Sequence, residues 1–138
     1  MATRRRARHV EASLFQYVLD SSSLINFERR RQINELRRKR GDVVVPQKVA
    51  DEVKQPGSPL KRFFDSYPSL VVSFSPDEES LYLQVRVQQG IDDGEAAAIA
   101  LAQSRRLPLV IDDKKGKSKA ENHGIKCQTS NEFLPQKK

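Results

Sequence analysis

Asp20 closes an apolar run from Leu14 to Leu19, and Asp112 and Asp113 close another from Leu107 to Ile111. Glu52 falls in the second turn of a helical segment that follows Val43 to Val45. Glu95 falls in the first turn of an alanine-rich segment, with Asp92 and Asp93 just ahead. If the apolar runs are strands of one parallel sheet, residues just past their carboxyl ends meet at one edge, where ligands bind at the switch in winding direction. Four to six carboxylates would then converge. Such groups repel and need a cation, a proton or distance to coexist. Hard oxygen donors without sulfur or imidazole suit Mg²⁺ or Mn²⁺.

Each acid also has a plainer reading. Asp20 could cap the next helix, Asp92 with Glu95 could form a capping box, Glu52 could be an ordinary helix carboxylate, and Asp112 with Asp113 could be a turn and cap before Lys114. The joint arrangement carries the expectation of a metal site; no single member does. Other chemistries are poorly served. His9, His123 and Cys127 are the only histidines and cysteine, too few for a zinc site of the usual kind. Cys127 with His123 lacks an orienting acid. Gly116-Lys117-Ser118 resembles the end of a phosphate-binding loop, but Ile111 stands where the leading glycine belongs, so a basic surface turn is expected. Asp20-Ser21-Ser22-Ser23 lacks the second acid of an aspartyl-phosphate phosphatase.

The elements that would position the acids follow from hydrophobic period and stop signals. Strands are expected over Leu14–Leu19, Val43–Val45, Leu70–Phe74, Leu107–Ile111 and Ile125–Gln128. Helices are expected over Ser21–Arg40 (in two pieces, stopped by Gly41), Gln47–Gln55 with Pro46 as first helical residue, and Leu60–Tyr67. Further helices run from a Ser75–Glu78 capping box to about Gln89, from Asp92 to Gln103, and over Lys114–Asn122, with a last turn at Asn131–Leu134. Strands separated by helices give an α/β fold: a single domain with a central five-stranded parallel sheet flanked by helices on both faces. The domain is expected over residues 13–134, between a basic tail at 1–12 and a basic end at 135–138.

Composition narrows the setting. The chain has 138 residues, which suits one domain, and no stretch approaches the apolar length of a membrane helix. Met1–His9 holds four arginines but no apolar segment follows, so it is not a secretory signal. A lone cysteine points to a reducing compartment, the cytoplasm. The net charge of +7 sits mostly at the ends: Arg4, Arg5, Arg6, Arg8, Lys137 and Lys138 account for all but +1 of it. One internal basic run remains, from Arg29 to Arg40, and it becomes a phosphate contact if the acid site lies beside it.

Four segments together resemble PIN domains. Tyr17-Val-Leu-Asp20-Ser-Ser22-Ser-Leu-Ile25 resembles the opening strand and turn of that family. Val43-Val-Val-Pro46 with Val49-Ala-Asp-Glu52-Val53 resembles its second segment. Gly94-Glu95-Ala-Ala-Ala-Ile-Ala-Leu-Ala102 resembles the third, in a subgroup with a Gly-Glu pair. Leu109-Val-Ile-Asp112-Asp113-Lys, then Ala120 and Gly124-Ile125, resembles the fourth. The match runs over about residues 14–134 in the family's order, with Lys117 where an arginine is frequent and Gln128 where a glycine is.

The resemblance implies roles. Asp20, Glu52, Glu95 and Asp113 would be the catalytic acids, with Asp20, Glu95, Asp112 and Asp113 holding Mg²⁺ or Mn²⁺ and Ser22 supporting Asp20. It implies a metal-dependent ribonuclease, and in small prokaryotic members a toxin with a homodimer and an inhibitory antitoxin. Arg29, Arg30, Lys114, Lys115 and Lys117 are the candidates for the RNA backbone. The alternatives are a PIN fold that binds nucleic acid or protein without cleaving, and a DNA-directed nuclease of the same fold.

Overall fold

The computed structural model describes residues 16–88 and 90–136. The basic tail at 1–12, Leu14 and Phe15 of the expected first strand, Gln89, Lys137 and Lys138 lie outside the described residues. The strands are β1 (Tyr17–Leu19), β2 (Val43–Pro46), β3 (Val71–Val72), β4 (Leu109–Val110) and β5 (Cys127–Gln128), with β2 and β3 built from consecutive valines. All pairings are parallel, in the order β3-β2-β1-β4-β5. Val18, Leu19, Val43, Val45, Leu109 and Val110 have no exposed surface, as strands covered on both faces require.

The chain winds outward from β1 through β2 to β3, then returns to the other side of β1 with β4 and β5. The switch in direction therefore lies between β1 and β4. Val18 is in register with Leu109 and Leu19 with Val110, and Asp20 N donates to Val110 O at 3.2 Å. Asp20 and the Asp112–Asp113 pair thus leave the sheet side by side.

Among the described residues eight helices flank the sheet: α1 (Ser21–Arg29), α2 (Ile33–Arg38), α3 (Gln47–Val53), α4 (Pro59–Ser66), α5 (Pro76–Arg86), α6 (Asp93–Arg105), α7 (Lys114–Asn122) and α8 (Ser130–Phe133). Ala96 to Ala102 of α6 is fully buried, which is why it is apolar all round rather than striped. Its small side chains let it lie against α5, α3, β1 and β2 together. That central placement carries Glu95 to the sheet edge.

Several boundaries differ from expectation. The break between α1 and α2 falls at Arg31, whose φ of +60° reverses the chain, while Gln32 N bonds to Phe27 O at 2.8 Å. Gly41 does not end α2; a 3₁₀ turn over Arg40–Asp42 follows it instead. Pro46 is the last residue of β2 and caps α3 rather than opening it, with φ −62° and ψ 145°. Proline fixes φ near a value that helix and extended chain share, so ψ decides, and the sequence does not state ψ. The third, fourth and fifth strands are each shorter than the span expected for them.

Candidate active site

Asp20 is the residue after β1 and the cap of α1: Ser23 N donates to Asp20 Oδ1 at 3.0 Å. It is 2% exposed. Ser22 Oγ lies 2.9 and 2.8 Å from its two carboxylate oxygens. The same hydroxyl accepts from the amides of Asp112 and Asp113, at 2.9 and 3.2 Å. Ser22 therefore fastens the end of β1 to the end of β4. The burial of Asp20 raises its pKa to about 6, although Ser23 and Ser22 donate to it and pull the other way.

Glu95 comes from the first turn of α6. Asp92 caps that helix by accepting from Glu95 N at 2.8 Å, but the box is half made, because Glu95 does not reach back to the cap. Its carboxyl turns into the sheet edge instead. There one oxygen, Oε2, is buried with no hydrogen-bond partner. Burial first, then Asp113 within hydrogen-bonding reach, then the charges of Asp92, Asp113 and Asp20, raise its pKa to about 7.

Asp113 caps α7, accepting from Gly116 N at 2.7 Å. Gly116 forms the wall that holds Asp113 and Glu95 together. A Cβ there would stand 2.8 Å from Ile111 Cδ1, 3.1 Å from Asp113 Oδ2 and 3.2 Å from Glu95 Cδ. Gly116 is thus a buried residue of the first turn of α7, not the basic surface turn expected from Gly116-Lys117-Ser118.

Glu52 lies beside this group rather than within it. Ser21 Oγ donates to Glu52 Oε2 at 2.9 Å. The residue is exposed, but partial burial of its carboxylate raises its pKa, with Asp92 and Asp93 adding to the rise. A Cβ on Gly94 would fall 2.2 Å from Glu52 Oε1, so glycine is what lets this carboxylate approach α6. Asp93 is occupied elsewhere, paired with Arg86.

Asp112, expected among the ligands, is held by donors from two distant elements. Its Oδ1 accepts from Ser130 N at 2.6 Å, and its Oδ2 accepts from Asn26 Nδ2 and Ser130 Oγ. Asn26 and Ser130 were not singled out from the sequence. A serine just after a short strand and an asparagine four residues after Ser22 were the available signals.

The donor chemistry fits a hard divalent cation: Asp20, Glu95 and Asp113 converge, one buried carboxylate oxygen has no partner, and the space between Asp113 and Glu95 is kept by a glycine. Among the described residues, however, no group of three or more acid, histidine or cysteine side chains is already drawn in to the spacing of an ion's ligands. The ion pairs among the described residues, Lys61–Asp65, Arg86–Asp93 and Arg105–Glu78, leave Asp20, Glu52, Glu95 and Asp113 unneutralised. Of the candidate backbone contacts, Lys114 and Lys115 are exposed directly beyond Asp113, Arg29 is exposed, Lys117 is half-buried, and Arg30 donates to Ser130 Oγ at 2.8 Å.

Known proteins share this architecture. PAE2754 from Pyrobaculum aerophilum superposes with a TM-score of 0.60 at 18% identity, over 88% of this chain and 88% of that one. FitAcB from Neisseria gonorrhoeae gives 0.59 at 13% identity, over 83% and 98%. VapBC2 from Rickettsia felis, bound to a DNA fragment from their promoter, gives 0.53 at 15% identity, over 82% and 97%. These likenesses show a shared fold. No curated relative matches the sequence. The family model described as a PIN domain (DUF3368) matches residues 16–130, and so the chain belongs to the PIN-domain family.

Proposed function

We propose that this protein is a divalent-metal-dependent ribonuclease whose acids are Asp20, Glu52, Glu95 and Asp113. The observation that carries the reading is Glu95 at the point where Asp20 and Asp113 converge, with one oxygen buried and given no donor and the Asp113 carboxyl as its neighbour. A carboxylate oxygen buried without a donor is costly unless something else meets it. Asp20, Glu95 and Asp113 would hold Mg²⁺ or Mn²⁺, with Glu52 completing the acidic edge. When bound, the ion supplies charge for the phosphoryl oxygens and acidifies the attacking water.

The chain's own groups supply orientation. Ser22 holds the Asp20 carboxylate through its hydroxyl. Gly116 and Gly94 admit the carboxyls of Glu95 and Glu52 to positions that any side chain would fill. No residue forms a covalent bond to the substrate in this reading. Lys114, Lys115 and Lys117 on the first turn of α7, with Arg29 and Arg30 at the end of α1, would hold phosphates of the strand. The family resemblance and the fold shared with FitAcB and VapBC2 favour a toxin restrained by an antitoxin and acting as a homodimer.

Cleavage of single-stranded RNA by the full chain, with Mn²⁺ and with chelator, tests the proposal. Turnover should need Mn²⁺ and should disappear in Asp20→Asn. Faster cleavage of matched single-stranded DNA would reassign the substrate. Binding without turnover under any metal would make the protein a non-catalytic PIN fold.

A further inference from the structure

Ser22, Asn26 and Arg30 recur at four-residue spacing along α1 and its cap, so they form one stripe. Every member reaches the segment after β4 or the start of α8. Ser22 Oγ takes the Asp112 and Asp113 amides. Asn26 Nδ2 donates to Asp112 Oδ2. Arg30 Nη1 donates to Ser130 Oγ, which in turn donates to Asp112 Oδ2. Ser130 N takes the remaining oxygen, Oδ1. Both oxygens of Asp112 are therefore engaged, as are those of Asp20, but Asp20 is met by Ser22 and Ser23 of its own cap, whereas Asp112 is met from α1 and α8. A single carboxylate ties α1, the β4 end and α8 together, across sequence separations of 86 and 18 residues.

Resting on the metal-dependent reading above, we infer that Asp112 is a positioning residue rather than a metal ligand, and that Asn26 and Ser130 act through it. Asp113 is the next residue in the chain, so the anchor at Asp112 sets where the Asp113 carboxyl and the start of α7 stand. The Asp112 amide is one of the two donors that hold Ser22 against Asp20. Loosening the clasp therefore disturbs two acids of the site without touching either. Partners that orient metal-binding side chains change metal affinity about 10- to 100-fold when removed.

The ligand reading predicts the opposite response. If Asp112 bound the ion, stripping its competing donors would free it, and binding would tighten or stay unchanged. Mn²⁺ binding to the full chain without RNA, read from the electron-spin resonance of free Mn²⁺, separates the two. The inference expects Asn26→Ala and Ser130→Ala each to raise the Mn²⁺ Kd about tenfold. Asn26→Ala combined with Asp112→Asn should be no weaker than Asp112→Asn alone, because both changes break one clasp. Ser130→Thr, which keeps the hydroxyl, should bind as wild type. Ser130→Ala retains its amide donor to Asp112, so it keeps a folded variant in the series.

Wild-type or tighter binding in Asn26→Ala and Ser130→Ala, with loss in Asp112→Asn, would overturn the inference and make Asp112 a ligand. Absence of Mn²⁺ binding in the wild type would instead overturn the metal-dependent reading. The clasp is then judged in chelator by amide exchange at Asp113: faster exchange in Asn26→Ala supports positioning, and unchanged exchange rejects it.

Discussion

Ser75 and Asp92 each cap a helix, and each is followed three residues later by a glutamate, yet the two glutamates end in opposite electrostatic states. Glu78 closes its capping box: Ser75 N donates to its Oε1 at 2.9 Å, and Arg105 Nε donates to Oε2 at 2.8 Å. Arg105 holds its pKa below the ordinary value. Glu95 leaves its box open, meets acids instead of an arginine, and is raised to about 7, burial being the largest cause. Both residues belong to helices that pack on each other, and Arg105 at the end of α6 neutralises Glu78 at the start of α5. One acid is spent on holding two helices together. The other stands at the sheet edge with one oxygen buried and no donor to it, a perturbed carboxyl of the kind that clusters at functional sites.

The largest contrast should appear in cleavage. Glu95→Gln removes a charge from the site and should lower turnover by about 10²–10⁴-fold, the range expected when several kcal/mol of charge stabilisation is lost. Glu78→Gln should cleave RNA within a few-fold of wild type and instead cost stability, about 1–2 kcal/mol for a weakened box and arginine contact. Single-turnover rates and thermal melts of both variants check the pair.

Stability should separate the two acids with opposite signs. In chelator at pH 8, Asp20→Asn should be more stable than wild type by about 1–3 kcal/mol, because a buried charge disappears while the helix cap remains. The ordinary values for Asp20 and Glu95 are 3.8 and 4.5, and the folded values are about 6 and about 7. Over that interval the folded state binds more protons than the unfolded chain, so metal-free stability falls as pH rises from about 4 to about 7. Glu78 acts in the other sense. Its folded pKa lies below 4.5, so its contribution is present above that value and is lost as pH falls through the folded one. Glu95→Gln should flatten the fall toward neutral pH, and Glu78→Gln should flatten the loss in acid, in urea titrations across pH.

Gly116→Ala tests the wall between Glu95 and Asp113. The added methyl meets Ile111 Cδ1 at 2.8 Å in a buried place, so a cost of about 1–3 kcal/mol is expected together with weaker Mn²⁺ binding. Gly57→Ala, at a φ of +77° with open space around it, should cost stability without changing Mn²⁺ binding. The smallest effect is electrostatic. Replacing Lys114 or Lys115 by alanine should reduce the log–log salt slope of RNA binding by about 0.7 for each phosphate contact removed.

The sheet, its parallel sense and the edge where the acids meet were legible because apolar runs, caps and stop residues repeat along the chain with short connections. Strand limits were not, since pairing ends where a neighbour ends: Leu70–Phe74 is apolar but for Ser73, yet it pairs with β2 only at Val71 and Val72. Asp92 with Glu95 and Ser75 with Glu78 are the same local pattern, and only tertiary placement of Arg105 tells the closed box from the open one. Asp112 and Asp113 are adjacent and alike in sequence. What distinguishes them is Asn26 and Ser130, which reach Asp112 from elements far along the chain. Arg30 was expected to face RNA, and it also holds Ser130.

Thermal melts of wild type, Glu95→Gln and Glu78→Gln across a Mn²⁺ series, each against chelator, test most directly the claim that the open glutamate marks a metal site. A ligand that binds the folded state adds about 2.7 kcal/mol at a hundredfold excess over its Kd. Wild type and Glu78→Gln should gain stability in parallel as Mn²⁺ rises, and Glu95→Gln should gain little. Equal gains in the two glutamine variants, or no gain in wild type, would contradict the account.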